Sequence, residues 1–94
     1  MRNLLNEFYK YIGVWKEKSP EQISKFIELL KAIEKPGYLD TKTKELIAVA
    51  ISVVAQCQWC IAFHVKSALD AGAKPEEIRE AAWVAVLMGG GPQL

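Results

Sequence analysis

Two cysteines and one histidine are all that this 94-residue chain has of the side chains that most often do redox and metal chemistry. Two thiols close at most one disulfide, too few to staple a small secreted scaffold, so the cysteines need another explanation. Neither sign of charge dominates: 12 Lys plus Arg face 11 Asp plus Glu, scattered along the chain. That pattern provides no electrostatic footprint for nucleic acid. The opening Met1-Arg2-Asn3 leads into Leu4, Leu5 and then Glu7 without an apolar signal core, and cytoplasmic residence is the expectation. No stretch alternates apolar and polar residues as a half-buried strand does, which argues against a thioredoxin-like fold. The one long uncharged run, the 18 residues from Leu46 to Phe63, contains Ser52, Gln56, Gln58 and both cysteines and has no basic or aromatic belt on both sides. Polar side chains facing lipid are expensive, so the run is expected to be buried in protein rather than in a membrane.

What remains is a chain in which 51% of residues are hydrophobic, generous for 10.5 kDa. It has room for one domain, residues 1–94, with one core. A domain of this size buries only about 60 to 65% of its unfolded surface, so subunit contacts are expected as an added stabiliser. Helical punctuation recurs, and the fold class predicted is all-α, a single small domain of about five helices. The first helix is predicted from about Asn3 to Glu17, with Leu4, Leu5, Phe8, Tyr11, Ile12 and Trp15 on one stripe. Ser19-Pro20-Glu21-Gln22 reads as a capping box opening the second, whose apolar face carries Ile23, Phe26, Ile27, Leu30 and Ile33 until Pro36-Gly37 ends it. Asp40 or Thr41 can cap a third, apolar nearly all round from Leu46 to Ala55 and so expected to be covered on every side. The fourth should start near Cys57 and end at Ala71-Gly72. Lys74-Pro75-Glu76-Glu77 opens a fifth with Ile78, Ala81, Ala82, Ala85 and Val86 on its buried stripe, before Gly89-Gly90-Gly91-Pro92.

Both cysteines and the histidine fall within one eight-residue window, Cys57-Gln58-Trp59-Cys60-Ile61-Ala62-Phe63-His64. On a helix, positions 57, 60 and 64 sit at 0, about 300 and about 340 degrees, a single face. Two cysteines three apart at a helix start bring their sulfurs within bonding reach, and the free N–H groups there favour a thiolate. His64, one turn beyond Cys60, is near enough to take or return its proton, with an ordinary imidazole pKa of about 6.5 suited to that work. Glu45 is the single acid in an otherwise apolar helix. In one continuous helix it would lie about 18 Å from Cys57, so it joins the site only if the helix breaks near Gln56 and doubles back, or if another subunit supplies it. No glycine or proline marks such a break.

Other readings of the same residues stay open. Buried cysteines are commonly inert packing, and a lone histidine on an apolar face is commonly a hydrogen-bonded core residue. Two thiolates and an imidazole, with Glu45 as a fourth ligand, would also suit zinc, although such sites usually draw ligands from two elements. Covalent c-type haem is disfavoured, because Ile61 stands where its histidine should follow the second cysteine.

Glu45, Cys57, Cys60 and His64 in this spacing resemble the Glu…Cys-x-x-Cys-x-x-x-His signature of the alkyl hydroperoxidase D (AhpD) group within the carboxymuconolactone decarboxylase superfamily. The surrounding sequence agrees, from Leu46–Ala55 through Ala68–Gly72 and the Pro75-Glu76-Glu77-Ile78 helix start to Met88-Gly89-Gly90-Gly91-Pro92. The resemblance covers about residues 39–92, and the chain is about half as long as the full AhpD protein. It implies an AhpD-like helical subunit assembling into trimers or hexamers, with thiol peroxidase or disulfide reductase activity and no cofactor beyond an external thiol electron donor. By position, Cys60 would attack a small peroxide or disulfide substrate, Cys57 would resolve the product as a disulfide, and Glu45 and His64 would relay protons. Helix-terminus reasoning alone favours Cys57 as the thiol of lower pKa. Trp59 stands where the best-studied members tend to carry a second histidine. The decarboxylase branch lacks the cysteine pair.

Overall fold

The computed structural model describes residues 2–89; of the predicted Gly89-Gly90-Gly91-Pro92 terminator, Gly89 still belongs to the last helix and residues 90–92 lie outside the described residues. Five α-helices follow one another: α1 (Arg2–Lys18), α2 (Pro20–Glu34), α3 (Thr41–Val54), α4 (Gln58–Asp70) and α5 (Pro75–Gly89). There is no strand among the described residues. The all-α expectation holds. Much of the reason lies in local punctuation, with proline opening α2 and α5, Asp40 capping α3 and Gly72 following α4.

Asp40 caps α3, its Oδ1 accepting from the Thr43 N–H at 2.7 Å. Glu77 reaches back to accept from the Lys74 N–H at 2.8 Å, the reciprocal half of a capping box, with Pro75 in the first turn of α5. Gly72 takes φ +95° after α4, a conformation that costs glycine little. The start of α2 differs from expectation. Ser19 is its N-cap residue but makes no side-chain capping bond. Its main chain instead bridges two helices, the N–H donating to Trp15 O at 2.7 Å and the carbonyl accepting from Ile23 N–H at 3.0 Å.

The centre of the domain is α3, which packs against both α4 and α5. Val49, Ala68 and Ala73 form a buried cluster, with Leu46, Val65 and Ile78 packed around it. Small residues at 68, 73 and 85 let the three helices approach closely. Within one chain α3 is not covered all round. Glu45, Val49 and Ser52 are buried, while Ile47, Ile51 and Val54 are exposed and line an apolar groove with Val84 and Met88 of α5.

Helices α1 and α2 have no fully buried residue. On α2 the predicted inward residues Phe26 and Ile33 are exposed, because the helix touches the rest of the domain along a narrow strip. α1 lies across α4 through aromatic pairs, Phe8 against Phe63 with centroids 5.2 Å apart and Tyr11 stacked on Trp59 at 5.2 Å. No described helix is long and apolar enough to cross a membrane. The uncharged 46–63 run is divided between α3 and α4.

Candidate functional site

The site is made by a reversal of the chain with no glycine or proline in it. α3 ends at Val54, and Gln56 then adopts φ 56°, the left-handed region that a side chain enters at a cost of about 1 to 2 kcal/mol. Three backbone bonds hold it there. Ala55 N–H donates to Ile51 O at 2.9 Å, Gln56 N–H to Val53 O at 3.0 Å, and Cys57 N–H to Ser52 O at 3.2 Å. The left-handed residue turns the chain so that α4 runs back beside α3. Residues that a continuous helix would hold far apart now face each other.

Cys57 is the N-cap residue of α4, and its Sγ accepts from the Cys60 N–H at 3.2 Å. Cys57 and Cys60 are joined as a disulfide, with Cα atoms 5.2 Å apart, inside the range such a bond spans. One turn further along α4, His64 Nδ1 lies 2.8 Å from Glu45 Oε2 on α3. Glu45 is only 2% exposed, making it one of the two largest fully buried side chains. A carboxyl group at such depth needs a hydrogen-bond partner, and the imidazole supplies one. Nδ1 bound to the carboxylate leaves Nε2 as the ring nitrogen able to exchange a proton. Burial lowers the His64 pKa below the ordinary imidazole value, opposed by the charge of Glu34.

Glu34 is the residue that sequence reasoning missed. It occupies the last turn of α2, and an oxygen of its carboxylate, an oxygen of Glu45 and a ring nitrogen of His64 all lie within 4.8 Å of one another. Its Oε2 is buried without a hydrogen-bond partner. Burial raises its pKa to about 7, and the Glu45 carboxylate adds to the rise by accepting from the protonated form and repelling the ionised one, while His64 opposes it. One faint signal was present, an acid at the negative end of a helix dipole, where cations are favoured.

Cys57 and Cys60 are bonded to each other, and the carboxyl and imidazole groups that converge within 4.8 Å are those of Glu34, Glu45 and His64.

The model of the carboxymuconolactone decarboxylase family matches residues 20–94. The chain belongs to that family. An uncharacterised protein from the cox locus of Paracoccus denitrificans is 52% identical over 66 residues, which cover 70% of this chain and 60% of that protein. This chain thus spans about 60% of that relative's length. An uncharacterised Cupriavidus necator protein is 35% identical over 92 residues, 98% of this chain and 81% of its own. Among solved structures, the apo form of a carboxymuconolactone decarboxylase family protein from Legionella pneumophila superposes with a TM-score of 0.92 at 38% identity, covering 98% of this chain and 82% of that one. A Thermotoga maritima family member, suggested to take part in an antioxidative response, gives 0.82 at 32% identity over 95% of this chain and 76% of that one. Membership of the carboxymuconolactone decarboxylase family is consistent with the AhpD resemblance of the Glu45-Cys57-Cys60-His64 pattern.

Proposed function

We propose that this carboxymuconolactone decarboxylase family protein is a dithiol oxidoreductase that reduces small peroxides or disulfides, cycling Cys57 and Cys60 between dithiol and disulfide. The observation that carries the proposal is the Cys57–Cys60 disulfide at the head of the helix whose next turn presents a histidine paired to a buried acid. In the oxidative half, the Cys60 thiolate attacks the peroxide, the O–O bond breaks, and the alkoxide leaves as an alcohol after taking a proton from the relay. Cys60 is then a sulfenic acid. The Cys57 thiolate attacks its sulfur, the S–S bond forms, and hydroxide departs as water with a second proton.

An external thiol returns the two electrons. Attack on Cys60 Sγ expels Cys57, whose position at the helix N-terminus stabilises the leaving thiolate, and a second thiol releases Cys60. This division of labour reconciles the helix terminus, which favours a thiolate at 57, with the histidine, which serves the sulfur at 60. The suggested antioxidative role of the Thermotoga relative points the same way. The exposed Ile47, Ile51, Val84, Leu87 and Met88 on α3 and α5 support assembly into a homo-oligomer, a trimer or hexamer, as the working unit.

A peroxide-consumption assay with several thiol donors, run beside mass spectrometry, tests the proposal. One equivalent of peroxide should remove two protons' mass from the reduced protein and place the disulfide in a single peptide. Cys60→Ser should abolish turnover, and Cys57→Ser should trap a sulfenate. A dithiol that persists under peroxide and under disulfide substrates would refute the reading.

A further inference from the structure

The Glu34 carboxyl has no part in the chemistry so far described. It comes from the last turn of α2 to meet Glu45 of α3 and His64 of α4, with one donor atom of each residue within 4.8 Å of the other two. Glu34 Oε2 is buried and has no hydrogen-bond partner, the one such side-chain atom among the described residues. A buried lone pair left without a donor is costly, and two neighbouring carboxyls without a counter-charge repel each other. Among the described residues no lysine or arginine pairs with either carboxyl. Lys42 and Lys44, which flank Glu45 in sequence, are committed elsewhere: Lys42 to Glu77 of α5 at 3.0 Å, Lys44 to the carbonyls of Ile33 at 2.8 Å and Lys35 at 2.7 Å. The cluster therefore has oxygen and nitrogen donors in place and lacks a positive charge to hold them together.

We propose that Glu34, Glu45 and His64 form a binding site for one divalent transition-metal ion of the zinc class, held by a carboxylate oxygen of each glutamate and by Nδ1 of His64. It uses neither sulfur, so it stands whether or not the oxidoreductase reading does. Two carboxylates balance the charge of such an ion. The imidazole nitrogen favours a borderline ion over magnesium or calcium, which prefer shells made wholly of oxygen. Two ligands of one zinc ion, each bonded at about 2.1 Å, stand about 3.0 to 3.5 Å apart. His64 Nδ1 and Glu45 Oε2, at 2.8 Å, are already close to that spacing. The Glu34 donor, within 4.8 Å of both, closes the rest through its own side-chain torsions. On binding, Nδ1 exchanges its hydrogen bond to Glu45 for the ion, and the ring proton resides on Nε2. Three protein ligands leave a fourth position for water.

The frame around the cluster positions these donors before any ion arrives. The Thr41 hydroxyl donates to the Glu34 carbonyl at 2.8 Å, and Lys44 bonds the carbonyls on either side of it, so the end of α2 is tied to the start of α3. Glu45 belongs to that same turn of α3, and His64 is brought to it by the reversal at Gln56. Ligands set on packed helices lose little freedom when they bind. Glu34 and His64 are each partly exposed, which gives an ion a way in and the bound water a place.

The test uses the untagged protein in its disulfide form, so that no thiol competes, stripped with a chelator and titrated with zinc and with cobalt. Expected are one ion per chain by calorimetry, cobalt absorption bands of a nitrogen and oxygen shell, and a zinc-induced shift of the Nδ1 nitrogen resonance. That signal belongs to His64 without ambiguity, since the chain has one histidine. Glu34→Gln, Glu45→Gln and His64→Asn should each weaken zinc binding by more than about tenfold, while Glu28→Gln leaves it unchanged. Binding that is absent, or that any one of the three ligand substitutions leaves at full strength, overturns the site. Should the variants fail to fold, the wild-type ring still decides, because an Nδ1 resonance that saturating zinc does not move refutes the proposal.

Discussion

Glu45 and His64 are nineteen residues apart in the chain and 2.8 Å apart in the fold. The contact joins two helices through one left-handed residue, and it converts two isolated titratable groups into a unit. Under the proposed chemistry, Glu45→Gln keeps the shape but removes the charge that stabilises an imidazolium. Peroxidase kcat should fall about a hundredfold, and His64→Asn should fall similarly. The double variant should be little worse than either single one, since the groups act together. Steady-state kinetics on the four proteins checks this, with additive losses counting against a shared relay.

Gln56 should be replaceable to advantage. Its φ of 56° is strained for any residue with a Cβ, so Gln56→Gly should raise unfolding free energy by up to about 1 kcal/mol, and Gln56→Val should lower it by more. Urea denaturation monitored by circular dichroism decides the sign. The Gly variant loses part of its gain to the greater freedom of its unfolded chain.

Packing around Val49 and Ala68 leaves no slack in either direction. Ala68 is 0% exposed at the meeting of α3 and α4, and a larger side chain there has to push the helices apart. Ala68→Leu should cost about 1 to 3 kcal/mol, and Val49→Ala about 2 kcal/mol through the lost methyls and the cavity left behind. Thermal unfolding curves at fixed protein concentration measure both.

Stability should respond to pH through Glu34 and His64 in opposite senses. Glu34 has its folded pKa raised from 4.5 to about 7, so the native state holds a proton that the unfolded chain has given up between those values. Its contribution is present below about pH 4.5 and is lost as pH rises through about 7. His64 has its folded pKa lowered by burial, so its contribution is lost as pH falls through and below about 6.5. Denaturation midpoints between pH 4 and 8 should show the alkaline decline flattened in Glu34→Gln and unchanged in a surface control such as Glu28→Gln.

The apolar groove between α3 and α5 gives a prediction for assembly. Ile51 is 62% exposed and Leu87 is 80% exposed, in a chain whose helices are otherwise well punctuated. The native mass should be a multiple of 10.5 kDa, and Ile51→Glu should shift it toward the monomer. Light scattering at micromolar concentration tests this, and a monomeric wild type would remove the proposed oligomer.

Much of this was legible in the residues. Pro20, Asp40, Pro75 and Gly72 mark helix ends through backbone geometry and local hydrogen bonds, effects that act over a few residues and so are written locally. The common face of Cys57, Cys60 and His64 follows from the 3.6-residue period alone. Ser19 was misread because its capping role depends on whether α1 leaves room before α2, a matter of how the two helices join. Phe26 and Ile33 look like core by spacing, yet spacing says which residues share a face and nothing about what the face meets.

The sequence by itself determined the helices, their order and the pairing of two cysteines at the head of one of them, because propensity, capping and periodicity are short-range. Only the tertiary structure decided that Glu45 meets His64 and that Glu34 comes from a third helix to join them. That decision was made at Gln56, a residue with no intrinsic preference for the left-handed conformation it adopts. The turn is held by bonds to Ile51, Val53 and Ser52 and by the burial of Val49 against Ala68. These interactions exist only once α3 and α4 are side by side, so they offset the strain collectively and leave no mark on the local sequence.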